Sequence, residues 1–266
     1  MQRLPDVTLS DVQAVYTGPE ADLWMLLMGE QIHIGGFRSS RDLAQQAGIR
    51  AGTEGVDLCC CIGAGMRFLV RFCGVKRMRG VDATARMVEL GRSRCAQEGL
   101  GGQIEFLQQD ACHSGLPAQS ADFVWGEDAW CYVQDKAALV AEAARIVKPG
   151  GTIAFTDWVE GPGLSQAEAT RYLRFMKFPN VLTITEYSDL LVKNGCQVLH
   201  ALDTGRFSSH VDLYLSMVDK QLTYDALKII GFDTKMLETL SQEMVFMQGL
   251  AHAGKIAQGL LVARKK

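Results

Sequence analysis

The chain has 266 residues, 48% of them hydrophobic and 21% charged, so it can bury the core of one large domain or of a domain with a substantial insertion. The net charge of -3, with one short basic run at Arg264–Lys266, argues against nucleic acid or an anionic membrane as a partner. The sequence shows neither an N-terminal export signal nor an apolar run long enough to span a bilayer, so we expect a cytoplasmic protein.

The eight cysteines are expected to be free thiols, because the chain is neither short nor marked for export. Three of them, Cys59, Cys60 and Cys61, are consecutive. Successive side chains of a strand point to opposite faces, so these three cannot all bind one metal ion, and we predict no metal site. Packing as small apolar residues is the simpler interpretation for at least two of them.

Short apolar runs alternate with helical patterns along the chain. The predicted strands are Val56–Cys60, Arg79–Asp82, Ile104–Asp110, Ala121–Glu127, Thr152–Asp157, Gln197–Leu202 and Gly259–Ala263. The predicted helices include Met66–Cys73, Met87–Cys95, Asp135–Val147, Leu164–Phe178 and a helix capped by Thr185 that continues to Leu191. This alternation predicts an α/β fold with a doubly wound, mostly parallel sheet of seven strands.

Four segments are expected from this pattern. Residues 1–50 form an N-terminal helical cap, 51–206 the core, 207–254 a helical insertion, and 255–266 a closing edge strand. The insertion is too long for a simple crossover, so we expect it to cover the ligand end of the sheet. Its methionines, of which Met244 and Met247 are two, are interpreted as helix packing.

The ligand site is expected after the first core strand, in the segment VDLCCCIGAG, because ligands bind where the winding of such a sheet reverses. Gly63 and Gly65 lack a Cβ and allow close approach of the backbone. Asp82, followed by Ala83, ends the second strand 17 residues beyond Gly65, where an acidic side chain can bind the hydroxyls of an adenosine ribose. Asp110 and Ala111 follow the third strand and are expected to contact the adenine.

This arrangement resembles the class I S-adenosylmethionine-dependent methyltransferases, whose first motif reads as an acidic residue followed by x-Gly-x-Gly-x-Gly. Asp57, Gly63 and Gly65 match that pattern, whereas Cys59 and Cys61 stand at its first two glycines. Cysteine is among the smallest replacements for glycine, so the loop is expected to admit the ligand if φ stays negative at both cysteines. The resemblance implies a Rossmann-like sheet and S-adenosylmethionine as the cofactor.

Further segments are similar to the sarcosine/dimethylglycine-type N-methyltransferases, namely LLMGEQIHIGGF, WGEDAWCYVQDK and GKIAQGLLVARKK. Tyr132 stands where those relatives tend to have histidine. The resemblance implies that Glu127, Trp130 and Tyr132 face the methyl group of the donor, and that His33 is a base or a hydrogen-bond partner of the substrate. A core aromatic is an equally good interpretation of Trp130.

A nicotinamide-dependent dehydrogenase is the first alternative, but Phe68 occupies the position of the third glycine in its G-x-G-x-x-G motif and argues against a pyrophosphate. We therefore predict methyl transfer by in-line displacement to a small-molecule acceptor, with an amine nitrogen favoured. Such an acceptor calls for an aromatic cage or for an arginine such as Arg171 or Arg174.

Two other functions stay open. Methylation of a phenol, quinone or isoprenoid at carbon or oxygen would use the apolar insertion as a pocket wall. A non-catalytic nucleoside-binding or thiol-sensing protein would use the cysteine loop itself. A homodimer is compatible with the sequence, which does not establish it.

Overall fold

The computed structural model describes residues 2–4 and 6–266. The strands are β1 (Gln2–Arg3), β2 (Glu54–Leu58), β3 (Arg77–Asp82), β4 (Ile104–Gln108), β5 (Ala121–Glu127), β6 (Val147–Glu160), β7 (Asn180–Val181), β8 (Cys196–Asp203) and β9 (Ile256–Lys265). The helices are α1 (Leu9–Thr17), α2 (Pro19–Met28), α3 (Gly36–Ala47), α4 (Ala64–Cys73), α5 (Ala85–Gln97), α6 (Lys136–Ile146), α7 (Gln166–Met176), α8 (Ile184–Lys193), α9 (Phe207–Met217), α10 (Thr223–Ile229) and α11 (Thr234–His252).

Seven strands form the main sheet in the order β4-β3-β2-β5-β6-β9-β8. The pairs among β2 to β6 are parallel, and β9 is antiparallel to both of its neighbours. The winding reverses between β2 and β5, so the carboxyl ends of these strands open a crevice there. The predicted α/β, doubly wound, mostly parallel sheet is confirmed.

The sequence analysis predicted that the last strand lies at the edge of the sheet. In the structure this strand, β9, lies between β6 and β8. β9 pairs with β6 from Thr152↔Arg264 to Glu160↔Ile256, and with β8 on its other side. Every residue from Ile256 to Ala263 is buried. A strand that is apolar on both faces requires cover on both faces and partners on both edges, so the segment takes an inner place and β8 becomes the edge.

Apolar residues on the two faces of the sheet form separate clusters, because neighbouring side chains of a strand point in opposite directions. Val124 packs in the cluster with α6 and α8, whereas the adjacent Trp125 packs in the cluster with α3, α4 and α5. A third cluster lies beyond the carboxyl ends of the strands and joins α1, α7, α9 and α11. The third cluster places the N-terminal helices and the insertion over the crevice.

Two local predictions need correction. Thr183, not Thr185, caps α8, because Thr183 and Glu186 form a reciprocal capping box at the spacing that this motif requires. The insertion is helical but interrupted: a π-helical turn at Val218–Leu222 separates α9 from α10, and the turn before α11 contains Gly231 and Phe232, both with positive φ.

Candidate active site

A cavity of about 250 Å³ opens at the carboxyl ends of β2, β3, β4 and β5. It brings together the predicted site residues Cys59, Cys61, Asp82, Ala83, Asp110, Ala111 and Tyr132. We call it the donor cavity. The predicted residues Asp57, Gly63, Gly65 and Glu127 lie beside it and outside its lining.

The loop after β2 is fastened to the end of β3. The backbone N–H groups of Cys59 and Cys60 both donate to the Val81 carbonyl oxygen, at 2.8 and 3.1 Å. The N–H of Cys61 donates to Asp82 Oδ2 at 2.8 Å, while Asp82 Oδ1 accepts from Thr84 N–H at 2.9 Å. Asp82 therefore fixes the shape of the loop as well as lining the cavity.

The condition of negative φ at the two cysteines is not met in the structure. Cys59 has a φ of +65° and Cys61 a φ of +49°, both in the left-handed region that favours glycine. The backbone path is thus the one that a glycine-rich loop takes, and two side chains are held in it at a cost of about 1–2 kcal/mol each.

The three consecutive thiols are kept protonated. Burial is the main cause that raises the pKa of Cys59, Cys60 and Cys61, and the nearby Asp82 carboxylate raises each of them further. Cys112, which also lines the cavity, has a pKa raised to about 12, again mainly by burial. A thiol reacts as a nucleophile in its thiolate form, so these residues are poor competitors for an electrophilic ligand.

The two motif glycines make room for buried side chains. A Cβ on Gly63 would stand 2.6 Å from the ring of Phe106. A Cβ on Gly65 would stand 2.5 Å from Glu127 Oε2, which accepts a hydrogen bond from Trp125 Nε1 at 3.0 Å. Gly65 therefore lets the Glu127 carboxylate lie against α4.

The lining of the cavity includes the acidic side chains Asp82, Asp110 and Asp135, which give it a negative potential. Asp57 is buried, and burial, followed by the charges of Glu127 and Asp82, raises its pKa well above the usual range. The lining of the cavity contains neither lysine nor arginine among the described residues. Such a site suits a cationic nucleoside and disfavours a pyrophosphate, which calls for N–H donors and cations.

His33 lies close to Glu127, and its Nε2 atom is surrounded by protein atoms. Its Nε2 lies 3.2 Å from Glu127 Oε1, 3.0 Å from the Gly36 carbonyl oxygen and 3.1 Å from Ser40 Oγ. A carbonyl oxygen can only accept, so Nε2 carries the proton that it shares with Gly36. The predicted base role is therefore open only to the Nδ1 atom.

A second, small space of about 20 Å³ lies next to the donor cavity, beyond Tyr132. We call it the aromatic chamber. Its lining is Tyr16, Trp24, Met28, Ile32, His33, Asp128, Tyr132, Trp158 and Met176. Tyr16 and Tyr132 also line the donor cavity, and their rings meet edge to face at 5.3 Å, so this pair is the partition between the two spaces.

The carboxylate of the chamber, Asp128, is held in place from two directions. Asp128 Oδ2 accepts from the N–H of Ile34 at 2.8 Å, and both carboxylate oxygens accept from Gln258 Nε2, at 2.9 and 2.7 Å. Its backbone has a φ of +51°, and burial raises its pKa. A strained residue with a buried charge next to a cavity is a recurrent feature of functional sites.

Trp130 does not reach either space. Its indole is fully buried, donates from Nε1 to the Leu58 carbonyl oxygen at 3.2 Å and stacks on Phe155 at 4.0 Å between ring centroids. The geometry agrees with the core interpretation of this residue, which anchors the turn that carries Tyr132.

Two buried ionisable side chains, Lys136 and Asp157, support the same turn. The Lys136 ammonium donates to the carbonyl oxygens of Cys131, Val133 and Asn180, and burial lowers its pKa to about 8. Asp157 accepts from Cys131 N–H at 2.9 Å and from the Tyr187 hydroxyl at 2.6 Å, and burial raises its pKa to about 6. Neither residue was identified from the sequence, where each reads as an ordinary charge beside a strand or helix.

Comparison with known proteins agrees with this geometry. Residues 56–155 match the family described as "Methyltransferase domain". Among curated relatives, a phosphoethanolamine N-methyltransferase of Arabidopsis thaliana is 24% identical over 71% of this chain and 38% of its own length. A sterol 24-C-methyltransferase of Eremothecium gossypii is 27% identical over 64% of this chain and 47% of its own length. The chain spans about half the length of the curated relatives it matches.

The fold is shared with solved structures as well. A Galdieria sulphuraria protein described as a candidate sarcosine dimethylglycine methyltransferase superposes with a TM-score of 0.77 at 22% identity, over 87% of this chain and 86% of that one. Structures with this fold include complexes with S-adenosylmethionine and with S-adenosylhomocysteine.

These findings define the fold of the S-adenosylmethionine-dependent methyltransferases. Residues 56–155 match the methyltransferase domain, as the motif resemblance implied. The donor cavity fits S-adenosylmethionine, because its carboxylates and neutral thiols suit a positively charged sulfonium nucleoside. Among the described residues, no cluster of histidine, cysteine and carboxylate side chains is arranged to hold a metal ion, and none of the helices is long and apolar enough to cross a bilayer.

Proposed function

We propose that the protein is an S-adenosylmethionine-dependent enzyme that transfers the methyl group of this cofactor to the nitrogen of a small-molecule amine. The observation that carries this proposal is the aromatic chamber, in which Tyr16, Trp24, Tyr132 and Trp158 surround a small space together with the Asp128 carboxylate. Aromatic faces attract alkylammonium groups at about 0.5–2 kcal/mol per ring, and a buried carboxylate adds a charge of the right sign.

The chamber also suits the protonation change that N-methylation needs. An amine must lose its proton before it can attack, and burial among apolar rings favours the neutral form. The product is again an ammonium ion, which the rings and Asp128 stabilise. Tyr16 and Tyr132 remain protonated phenols at neutral pH, because burial raises both pKa values, so they can orient the nitrogen without acting as bases.

The bound cofactor supplies an activated methyl group, and the enzyme aligns the acceptor with it and excludes water. We assign Asp82 to the ribose hydroxyls and the Asp110–Ala111 turn to the adenine, as their places in the donor cavity support. Glu127 contributes negative potential beside the loop, whereas burial favours the neutral form of Asp57 by raising its pKa. Tyr132, at the partition, is the predicted site residue best placed to contact both reactants.

A phenol, quinone or isoprenoid acceptor is the second candidate. It is favoured by an apolar cavity that adjoins the chamber between α2, α7 and α11, and by the C-methyltransferase among the relatives. A phenol would require a base, for which His33 Nδ1 and Asp128 are the groups at hand.

The purified enzyme can be tested with S-adenosylmethionine and matched panels of amines and phenols, with release of S-adenosylhomocysteine as the measurement. Release with amines and not with phenols supports the proposal. Release with phenols alone overturns it in favour of the second candidate. Donor binding without release in any panel would instead revive the thiol-sensing interpretation of Cys59–Cys61.

The role of the rings can be isolated with Trp24→Leu and Trp24→Phe. Removing the ring should raise KM for an amine about threefold to thirtyfold, while Phe retains most of the effect. Tyr224→Leu is the matched control, because Tyr224 is 68% exposed on α10 and lies outside the chamber. An equal KM for Trp24→Leu and the native enzyme would argue against a cation at this site.

A further inference from the structure

The apolar cavity beside the chamber has a lining unlike that of the donor cavity. It encloses about 120 Å³, and its lining is apolar except for Glu20, Lys177 and Ser241. The side chains that form most of the wall are Leu23, Leu27, Phe175, Met176, Leu240 and Met244. A polar occupant would lose its hydration there without gaining hydrogen bonds, so the cavity selects an apolar group.

This cavity adjoins the aromatic chamber through two shared side chains. Trp24 and Met176 line both spaces, just as Tyr16 and Tyr132 line both the chamber and the donor cavity. Donor cavity, chamber and apolar cavity therefore lie in series. A ligand with its reacting atom in the chamber has the apolar cavity as its continuation on the side away from the donor.

Among the described residues, the lining of the aromatic chamber contains no lysine or arginine that could bind a carboxylate. Neither Arg171 nor Arg174 lines the chamber or the apolar cavity. The Arg171 guanidinium is paired with Glu243 at 3.0 Å and lies 4.1 Å over the ring of Phe246. Lys177, the lysine in the lining of the apolar cavity, is exposed to solvent. A compact amino acid such as a glycine derivative would thus leave its carboxylate without a buried cation and the apolar cavity without an occupant.

We propose that the acceptor is an amine with an apolar substituent, and that this substituent occupies the cavity between α2, α7 and the insertion. The proposal rests on the amine acceptor proposed above and names its class. Met244 belongs to the wall of this cavity, so it determines substrate specificity in addition to packing the helix.

The helical insertion provides a route by which the acceptor can enter the apolar cavity. Between Tyr214 and Met247, the buried residues are Ala226 and Ile230, so the helices over the cavity are attached by few side chains. The π-helical turn at Val218–Leu222 interrupts the same stretch. Segments with little buried apolar surface open at low free energy, so an acceptor can enter from this side while the sheet stays closed.

The test is a series of primary n-alkylamines from ethylamine to octylamine, assayed with saturating S-adenosylmethionine for kcat/KM. Each methylene that enters the cavity should raise kcat/KM by about fourfold until the space is filled. Met244→Trp fills the cavity and should bring the ratio of octylamine to ethylamine close to one. Val245→Trp is the control, because Val245 is 56% exposed on the same helix, and it should keep the native ratio.

The outcomes separate the two proposals. Amine turnover with no dependence on chain length in the native enzyme overturns the apolar substituent and leaves the amine acceptor standing. Equal loss of the ratio in Met244→Trp and Val245→Trp also overturns it, since the effect would not belong to the cavity. If 4-alkylphenols react and amines do not, the proposal of an amine acceptor is overturned. An increase in kcat/KM with the length of the alkyl group that is lost in Met244→Trp would then still assign the cavity to an apolar substituent.

Discussion

The donor cavity and the apolar cavity are bounded in different ways. The donor cavity is formed by strand ends and by loops whose backbone N–H groups are bound to Val81 and Asp82. The apolar cavity is bounded by helices of the N-terminal region and the insertion, whose side chains are mostly half-buried. Backbone geometry thus determines the first site and side-chain packing the second.

This difference has a functional meaning. The methyl donor is the same molecule in every enzyme that uses it, so a rigid site built on the sheet serves it well. The acceptor differs from enzyme to enzyme, and a wall of adaptable leucine and methionine side chains can be changed without disturbing the sheet. The partition formed by Tyr16 and Tyr132 is where the two regions meet.

Hydrogen exchange should show the largest contrast between the regions. Amides of β6 from Ile153 to Trp158 should exchange at least about a thousandfold more slowly than those of α10, because the strand is buried and α10 is not. S-adenosylmethionine should protect the Cys59–Cys61 loop, and an acceptor amine should protect α10. Equal protection of β6 and α10 in the free enzyme would remove the distinction between a rigid and a loosely attached region.

Removal of the carboxylate that links loop and cavity should weaken donor binding. Asp82→Ala should raise the Kd for S-adenosylmethionine by about tenfold to a hundredfold, since hydrogen bonds to charged groups contribute about 1.5–3 kcal/mol. Calorimetric titration measures this directly. Asp110→Ala should have a smaller effect, because that side chain is 52% exposed. Equal effects of the two substitutions on the Kd would mean that Asp82 contributes no more to donor binding than Asp110 does.

Asp157 should produce a pH dependence of stability at the boundary between the regions. Its pKa is raised to about 6, so between pH 4 and pH 6 the folded protein holds a proton that the unfolded chain has released. Its contribution to the free energy of unfolding therefore falls by about 2–3 kcal/mol as the pH rises through that range.

Asp157→Asn should lack this change, and denaturant titrations at pH 4 and pH 7 measure the difference from the native protein. Asp189→Asn, an exposed carboxylate on α8, serves as the control and should follow the native profile. A difference between native protein and Asp157→Asn that stays constant with pH would contradict the prediction.

The smallest expected effect concerns the strained loop. Cys59→Gly should stabilise the protein by about 0.5–1 kcal/mol. The substitution removes the strain of a cysteine with positive φ, and this gain exceeds the entropic cost of ordering a glycine. Cys60→Gly should destabilise it, because Cys60 is buried and lacks a positive φ. Thermal unfolding of the two variants gives the comparison, and stabilisation by both would show that strain at Cys59 is not the cause.

Much of the donor region could be predicted from the sequence, because it depends on local patterns. Alternating strands and helices determine where strand ends meet, and Asp82, Asp110 and Tyr132 follow strands or the turns after them. The position of β9 was wrong because sequence periodicity shows that a strand is apolar without showing how many neighbours it has. The sequence left the sign of φ at Cys59 and Cys61 open, because residue type alone does not determine the backbone conformation of a loop.

The acceptor region depends on contacts between distant segments, which a single sequence does not reveal. Tyr16 and Trp24 lie on α1 and α2, far from Tyr132 and Trp158 in the chain, and were not identified. The spacing of Val12, Val15 and Tyr16 on one face of α1 was a usable signal that this helix buries an aromatic side chain. It could not show that the buried face borders a cavity.

The way in which the insertion joins the sheet has a consequence for the history of the enzyme. β8 ends at Asp203, which lies opposite Gly259 of β9. Thr204 N–H donates to the Gln258 carbonyl oxygen at 2.9 Å, at the point where the insertion leaves and rejoins the sheet. The inserted segment leaves and rejoins the sheet at neighbouring points, so its two ends stay close together whatever its length. Lengthening such a segment adds little to the entropic cost of closing the loop. Gene duplication followed by exchange of this one segment could therefore yield enzymes with new acceptors in a single evolutionary step.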